Sequence, residues 1–260
     1  MRWILRLALI VLLAAALVRY GKPAFEAWSF RRQENPIQRG ARVAAAAGCF
    51  GCHGPGGLRG LKNPGSKWGD VPSWAGGTAM MFLTEPSDLE EYIRFGLPRR
   101  KRRNPETLAQ VEKAAIVMPA YEGRVSDPEI RDLVRYVAAV SGIDRPKDGP
   151  AAQGYDLVQE NACFSCHGVD GAGGVRNPGS FKGYIPGWRG SDWGDLVRSD
   201  AEIRQWINDG GITRWEGNRL ARYFSGRQAL RMPAYRKYLS PAQVDQIVAY
   251  LAWLRARPSL

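Results

Sequence analysis

Apolar residues recur along this chain with the period of an α-helix, and no run of alternating β-branched residues marks a β-strand. The clearest stripes occur once in each half, at Ile130, Leu133, Val134 and Val137, and at Val244, Ile247, Val248 and Leu251. Their i, i+3, i+4, i+7 spacing places them on one buried helix face. Each stripe follows a capping-box pair, Ser126 with Glu129 or Ser240 with Gln243. The pattern therefore predicts an all-α protein in which a long helix closes each half.

Two further helices are predicted in each half. A leading helix runs from Gly40, and from Gly154 in the second half, into the first cysteine of that half. A middle helix starts at Ser87 or at Ser199, each with a glutamate three residues later, and stops at the next glycine.

The N-terminal segment from Trp3 to Val18 is apolar except for Arg6. A membrane span needs about 20 apolar residues, and this run nearly reaches that length if its arginines extend to the membrane surface. It has no polar face, which disfavours a buried core helix. We predict an uncleaved membrane anchor over residues 1–22. The alternative is a signal peptide cleaved near the small residues 14–16.

The two halves of the chain match without a gap when the sequence is shifted by 114 positions. Four motifs carry most of the match: Cys49 to His53 with Cys163 to His167, Asn63-Pro64-Gly65-Ser66 with Asn177-Pro178-Gly179-Ser180, Pro72 and Trp74 with Pro186 and Trp188, and Met118-Pro119-Ala120-Tyr121 with Met232-Pro233-Ala234-Tyr235. Such self-similarity indicates two copies of one domain. We predict a connector over 23–39, a first domain over 40–142, a turn-rich linker over 143–153 and a second domain over 154–260.

The composition is that of a folded protein, because 45% of the 260 residues are hydrophobic and 24% are charged. The formal net charge of +12 suits nucleic acid, an anionic membrane or an acidic partner, and does not choose among them. One basic run, Arg99 to Arg103, breaks the symmetry of the repeat. It is interpreted either as a solvated loop or as a docking patch for an acidic partner.

All four cysteines and both histidines fall in two identical Cys-x-x-Cys-His frames, at Cys49, Cys52 and His53 and at Cys163, Cys166 and His167. This pattern is the attachment signature of c-type haem, in which two thiols bond the haem and the adjacent imidazole lies under the iron. Two alternatives are one four-thiolate zinc site and a pair of disulfides. Neither explains a histidine after each second cysteine.

Methionine is the candidate sixth ligand of each iron, because Met and His together commonly hold the iron of electron-transfer cytochromes. The second half contains a single methionine, Met232, and Met118 takes the same place in the first half. Each lies 65 residues after the histidine of its own frame. Met80 and Met81 are rivals in the first half, but they have no methionine counterpart in the repeat.

These motifs resemble a tandem dihaem class I cytochrome c, similar to cytochrome c4-type proteins and to the dihaem subunits that serve respiratory oxidases. The resemblance covers residues 40–141 and 154–256. It implies two covalently bound haem c groups with three kinds of protein contact: thioethers at Cys49, Cys52, Cys163 and Cys166, proximal ligation by His53 and His167, and distal ligation by Met118 and Met232.

The resemblance also implies a proline carbonyl that orients each proximal imidazole. Pro72 and Pro186 are the candidates, although this chain has tryptophan in both copies where leucine usually follows such a proline. The prolines of the repeated Asn-Pro-Gly-Ser motif, Pro64 and Pro178, are the alternatives.

The predicted function is electron transfer through two His/Met-ligated haems, with no catalytic residues and no small-molecule substrate. Redox proteins are the expected partners, particularly a membrane complex with an acidic surface, and nucleic acid is not expected. Haem attachment outside the cytoplasmic membrane, as the family implies, places the domains in the periplasm or at the cell exterior, tethered by the N-terminal helix. One alternative is a dihaem enzyme, a peroxidase or a sulfur-compound oxidase, with one open haem site. Another is a non-redox tether.

Overall fold

The computed structural model describes residues 2–85, 87–190 and 192–257. Throughout these ranges the chain is helical and has no β-strand, only three isolated β-bridges, which confirms the predicted all-α class. The helices form an N-terminal segment followed by two similar sets.

The N-terminal segment is one nearly continuous helix. Helix α1 (Arg2–Ala16) passes through a π-helical turn (Leu17–Gly21) into α2 (Lys22–Gln33). Residues Arg2–Arg32 are long and apolar enough to cross a membrane, and no residue of the most apolar window is buried. No other helix in the described ranges meets this condition, which a signal sequence also satisfies.

Each half then contains its own set of helices. The first half comprises α3 (Pro36–Ala46), α4 (Phe50–His53), α5 (Asp88–Phe95), α6 (Pro105–Lys113) and α7 (Asp127–Ser141). The second half comprises α8 (Gly149–Glu160), α9 (Cys163–His167), α10 (Trp193–Leu196), α11 (Asp200–Asp209), α12 (Thr213–Glu216), α13 (Arg219–Arg227) and α14 (Pro241–Ala256). The predicted leading, middle and final helices are α3, α5 and α7 in the first half, and α8, α11 and α14 in the second. The predicted bounds of the leading helices are wrong, because α3 and α8 begin before Gly40 and Gly154 and end before the first cysteine of each half.

The leading and final helices of each half cross in close contact at a glycine. A β-carbon on Gly40 would overlap the Asp132 carbonyl oxygen and lie 2.7 Å from Cβ of Tyr136. Gly154 meets the Gln246 carbonyl oxygen in the same way and would place a β-carbon 2.9 Å from Cβ of Tyr250. Because glycine has no side chain, it lets the two helix backbones approach this closely. The crossing therefore determines how the leading and final helices pack in each half.

The cores lie between these crossed helices and the middle helices. Of the predicted stripes only Val134 is not fully buried, and it still packs against the first core. Both predicted capping boxes of the final helices are present. The predicted cap at Ser87 is wrong: Ser87 has helical backbone angles and no capping hydrogen bond, and the Asp88 carboxylate accepts the Thr84 and Glu85 amides instead.

The segment between the apolar N-terminal helix and the first half is largely helical and contacts the second half. Phe25 lies with its ring centroid 5.6 Å from that of Phe181, and Phe30 packs edge-on against Tyr184 at 5.6 Å. The Asn35 side chain donates to the Ala172 carbonyl over 2.8 Å. Residues 25–35 are therefore part of the folded unit.

Candidate haem-binding sites

In each half a left-handed residue turns the chain from the leading helix into the Cys-x-x-Cys-His frame. This residue is Gly48 in the first half (φ +78°) and Ala162 in the second (φ +53°). A β-carbon in this region costs about 1–2 kcal/mol, so Ala162 holds its turn at some expense of stability. The frames then form the short helices α4 and α9, in which the His53 amide donates to the Cys49 carbonyl over 3.0 Å.

The four cysteines are unpaired and half-buried, and the two pairs line separate cavities. They do not converge on one site, and the described ranges contain no group of three or more His, Cys, Asp or Glu that could hold a metal ion. Burial raises the pKa of the Cys49 and Cys163 thiols, which disfavours the thiolate form that zinc or a redox-active pair requires. The arrangement does not support the zinc alternative.

The imidazole of His53 is oriented by the backbone of Pro72. Its Nδ1 lies 2.8 Å from the Pro72 carbonyl oxygen, which can only accept a hydrogen bond. Nδ1 therefore carries the proton and Nε2 keeps its lone pair, the form in which histidine binds a metal. Burial lowers the pKa of His53 and so favours the neutral ring, although the Pro72 carbonyl opposes this effect. Pro64 instead accepts from the Ala115 amide.

The second histidine has a weaker version of this contact. Burial lowers the pKa of His167 to about 4, and the nearby Pro186 carbonyl opposes that effect. However, the buried Nδ1 of His167 has no partner in hydrogen-bond geometry. Pro178 accepts from the Ala229 amide, so Pro186 is the proline that faces the imidazole.

The tryptophans that replace the expected leucines pack against the histidines. The His53 and Trp74 ring centroids lie 4.8 Å apart, and those of His167 and Trp188 lie 4.9 Å apart. Each indole occupies space that a glycine leaves open, because a β-carbon on Gly57 would collide with Trp74. The tryptophan in the expected leucine position thus packs against one side of the imidazole.

Each frame opens onto a cavity of its own, with a volume of about 470 Å³ in the first half and about 490 Å³ in the second. Both walls are mostly apolar, and both volumes lie within the range of about 300–1,000 Å³ that is usual for cofactor sites.

Met118 lines the first cavity together with His53, and Met232 lines the second with His167. Both methionines are half-buried and pack against the core, whereas Met81 at the first cavity is 64% exposed. The Met80 side chain lies outside the described part of the structure.

A buried asparagine fixes the loop that carries each methionine. Asn63 donates to the Ile116 carbonyl over 2.9 Å and accepts from the Ile116 amide over 2.8 Å. Asn177 makes the same pair of bonds to Leu230, at 3.0 and 2.8 Å. Each clamped residue lies two positions before the methionine. The repeated Asn-Pro-Gly-Ser motif thus positions the methionine loop, a role that the sequence pattern did not reveal.

Asn63→Ala is expected to lower the free energy of unfolding by about 2 kcal/mol, because it leaves the half-buried amide and carbonyl of Ile116 without their side-chain partner. Chemical denaturation monitored by helical circular dichroism would measure the change. Glu112→Ala, an exposed change on α6, should stay within about 0.5 kcal/mol of the parent. Equal stability of the two variants would contradict the clamp.

The basic run Arg99 to Arg103 is largely engaged within the molecule. Arg100 forms an ion pair with the buried Asp88 and contacts it through Nε at 3.1 Å. Arg102 donates to the Leu97 and Phe95 carbonyls, and the Arg99 guanidinium lies 5.0 Å from the Phe95 ring centroid. These contacts hold the basic run against α5 and stabilise the loop that follows this helix.

An all-helical protein whose two halves each place a Cys-x-x-Cys-His frame in an apolar cavity has the architecture of a dihaem c-type cytochrome. A family model described as Cytochrome c matches residues 37–141 and again residues 151–255. The chain belongs to the cytochrome c family, and its two tandem domains carry covalently bound haem c.

One curated relative is the cytochrome c oxidase subunit 2 of Alkalihalophilus pseudofirmus, which is 29% identical over 113 residues. The match covers 44% of this chain and 28% of that protein, so the chain spans little more than a quarter of its length. No solved structure matches the chain.

Proposed function

We propose that this protein is a membrane-associated dihaem cytochrome that carries single electrons between protein partners. The observation that supports the proposal most strongly is the repeated cavity, in which a cysteine pair, a histidine and a methionine meet twice with the same offset. Electron transfer is the function of cytochrome c domains, and the finer assignments below are part of the proposal.

The thiols of Cys49 and Cys52, and of Cys163 and Cys166, would hold the two haems as thioethers. His53 and His167 would bind the irons through Nε2, and Met118 and Met232 would bind them from the opposite side. When bound, each haem supplies a one-electron Fe(II)/Fe(III) couple, and Met ligation favours the reduced state.

The surrounding residues are suited to a closed site. The cavity walls are mostly apolar, and the Pro72 carbonyl favours one tautomer of the His53 ring. The Asn63 and Asn177 clamps restrain the methionine loops. A site closed on both sides can pass an electron but leaves no position for substrate, which favours a carrier over a peroxidase or a sulfur-compound oxidase.

The N-terminal helix is proposed to be the membrane anchor, with the haem domains outside the cytoplasmic membrane. Arg19, Tyr20 and Lys22 follow its apolar part, and Tyr with basic residues is typical of a membrane–water interface. The oxidase-subunit relative suggests that the partner is a membrane-bound respiratory complex. An acidic surface on that partner would complement the net charge of +12.

Mass spectrometry of the purified protein is expected to show two covalently attached haems on one chain that begins at or near Met1. The double variant Cys49→Ala/Cys52→Ala should carry one haem, because it removes both thioether sites of the first cavity.

Prompt carbon monoxide binding to the reduced parent protein would contradict the closed sites and favour the enzyme. A chain that begins after residue 16 would show that the anchor is a cleaved signal.

A further inference from the structure

The two cavities differ at a repeated pair of positions in a way that changes their charge. The offset of 114 residues aligns Tyr92 with Trp206 and Lys101 with Trp215. All four side chains line their own cavity. Where the second cavity has two neutral indoles, the first has a phenol and an ammonium group.

The two pairs occupy the same place in their domains. In the second half the Trp206 and Trp215 rings pack edge to face, with centroids 5.2 Å apart. In the first half Nζ of Lys101 lies 5.1 Å from the Tyr92 ring centroid and donates to the Tyr92 hydroxyl oxygen over 2.9 Å. A cation–aromatic pair has thus replaced an aromatic pair.

A hydrogen bond to a backbone carbonyl holds the Lys101 ammonium group in this position. The Trp206 indole donates to the Leu196 carbonyl over 3.1 Å. The aligned carbonyl of the first half is that of Phe82, and Nζ of Lys101 donates to it over 2.6 Å. Lys101 therefore takes over both the position of Trp215 and the hydrogen bond of Trp206. It is a half-buried, fixed cation rather than a mobile surface lysine.

The remaining charges do not compensate for Lys101. Beside it, Asp88 is paired with Arg100, and the aligned Glu202 is paired with Arg214, so this contribution is the same in both halves. The other charged side chains at the walls are Lys67 and Asp70 in the first cavity, and Lys182, Arg231, Asp192 and Asp195 in the second. Lys101 thus leaves the first cavity with one positive charge in excess, while the second is balanced.

We propose that Lys101 raises the reduction potential of the haem in the first cavity. This inference rests on the proposed function, since it requires a redox-active haem there. Oxidised iron carries one more positive charge than reduced iron, so a fixed neighbouring cation disfavours the oxidised state. Partial burial strengthens the effect, because the effective dielectric constant near the cavity is far below that of water.

Desolvation also acts on Lys101 itself. Burial lowers the pKa of its ammonium group, and the neighbouring Asp88 carboxylate opposes that effect. The group is thus held partly away from water, where its charge is poorly screened.

The test is a spectroelectrochemical titration of the full-length, haem-loaded protein, in which the two haems give two one-electron steps. Lys101→Gln is expected to lower the equilibrium constant for reduction of one haem about tenfold, which corresponds to about 59 mV for one electron, and to leave the other step unchanged. Lys101→Arg keeps the charge and should leave both steps in place. Lys113→Gln removes an exposed charge of the same domain and should shift neither step by more than about twofold.

The reciprocal variant Trp215→Lys keeps the proposal falsifiable if Lys101→Gln folds poorly. It should raise the potential of the step that Lys101→Gln leaves unchanged. Unchanged midpoints in both variants, or an equal shift in Lys101→Gln and Lys101→Arg, would overturn the role of the charge. Haem content and the visible spectrum, measured on the same samples, separate this result from a failure of the proposed function, which would appear as missing haem in the parent protein.

Discussion

Met118→His is expected to lower the midpoint potential of one of the two haems by about 0.2 V or more, and to leave the other unchanged. The physical reason is the axial ligand: thioether sulfur favours ferrous iron, imidazole favours it less, and axial ligands together span about 0.8 V of potential. The weak far-red sulfur-to-iron band of the oxidised protein should lose about half of its intensity, because the proposed ligation supplies two such bonds and this variant removes one.

The rival methionine provides the matched control. Met81 also lines the first cavity but is mostly exposed, so Met81→Leu should keep both midpoints and the full far-red band. Met232→His should produce the same loss at the other haem. If Met81→Leu abolished the band at one haem and Met118→His did not, the ligand assignment in the first half would be wrong.

Gly40→Ala is expected to reduce the free energy of unfolding of the first half by about 3 kcal/mol or more. The new β-carbon would overlap the Asp132 carbonyl oxygen across the α3–α7 crossing. Backbone atoms cannot rotate away as a side chain can, so the two helices must separate and the core between them must loosen. Thermal unfolding followed by helical circular dichroism would measure the loss. Gly154→Ala should act equally on the second half.

Gly226→Ala is the control for this substitution, because no atom beyond its chain neighbours and its own helix backbone lies within 4 Å of the β-carbon it would add. Gly226 lies inside α13, where alanine is favoured over glycine by about 1 kcal/mol. This variant should be as stable as the parent or more so. A Gly40→Ala protein with unchanged stability would show that the α3–α7 crossing does not require a glycine.

Much of the fold and of the candidate sites could be predicted because their signals are local or repeated. The caps and stripes of α7 and α14 lie within one or two helical turns, where spacing alone specifies which residues meet. The cysteines and the histidine of each frame are likewise adjacent in sequence. Met118 and Met232 could be proposed as ligands only because the repeat places them at the same distance from their histidines.

Features that depend on distant contacts could not be predicted in this way. Asn63 meets Ile116 across 53 residues, and nothing in the Asn-Pro-Gly-Ser motif specifies that partner. The consecutive charges of Arg99 to Arg103 fit either a solvated loop or a docking patch, and the pattern did not show that Arg100 pairs with the buried Asp88. The repeat did contain a signal for this ion pair. Glu202 and Arg214 align with Asp88 and Arg100, and an acid and an arginine at the same positions in both copies indicate a structural ion pair.

The contact of α2 with Phe181 and Tyr184 has a consequence for the arrangement of the protein at a bilayer. Both of these residues also line the second haem cavity, so the helix that continues the proposed anchor rests on the wall of that cavity. If the N-terminal helix anchors the protein in a membrane, this contact would hold the second domain, rather than the first, against the base of that helix.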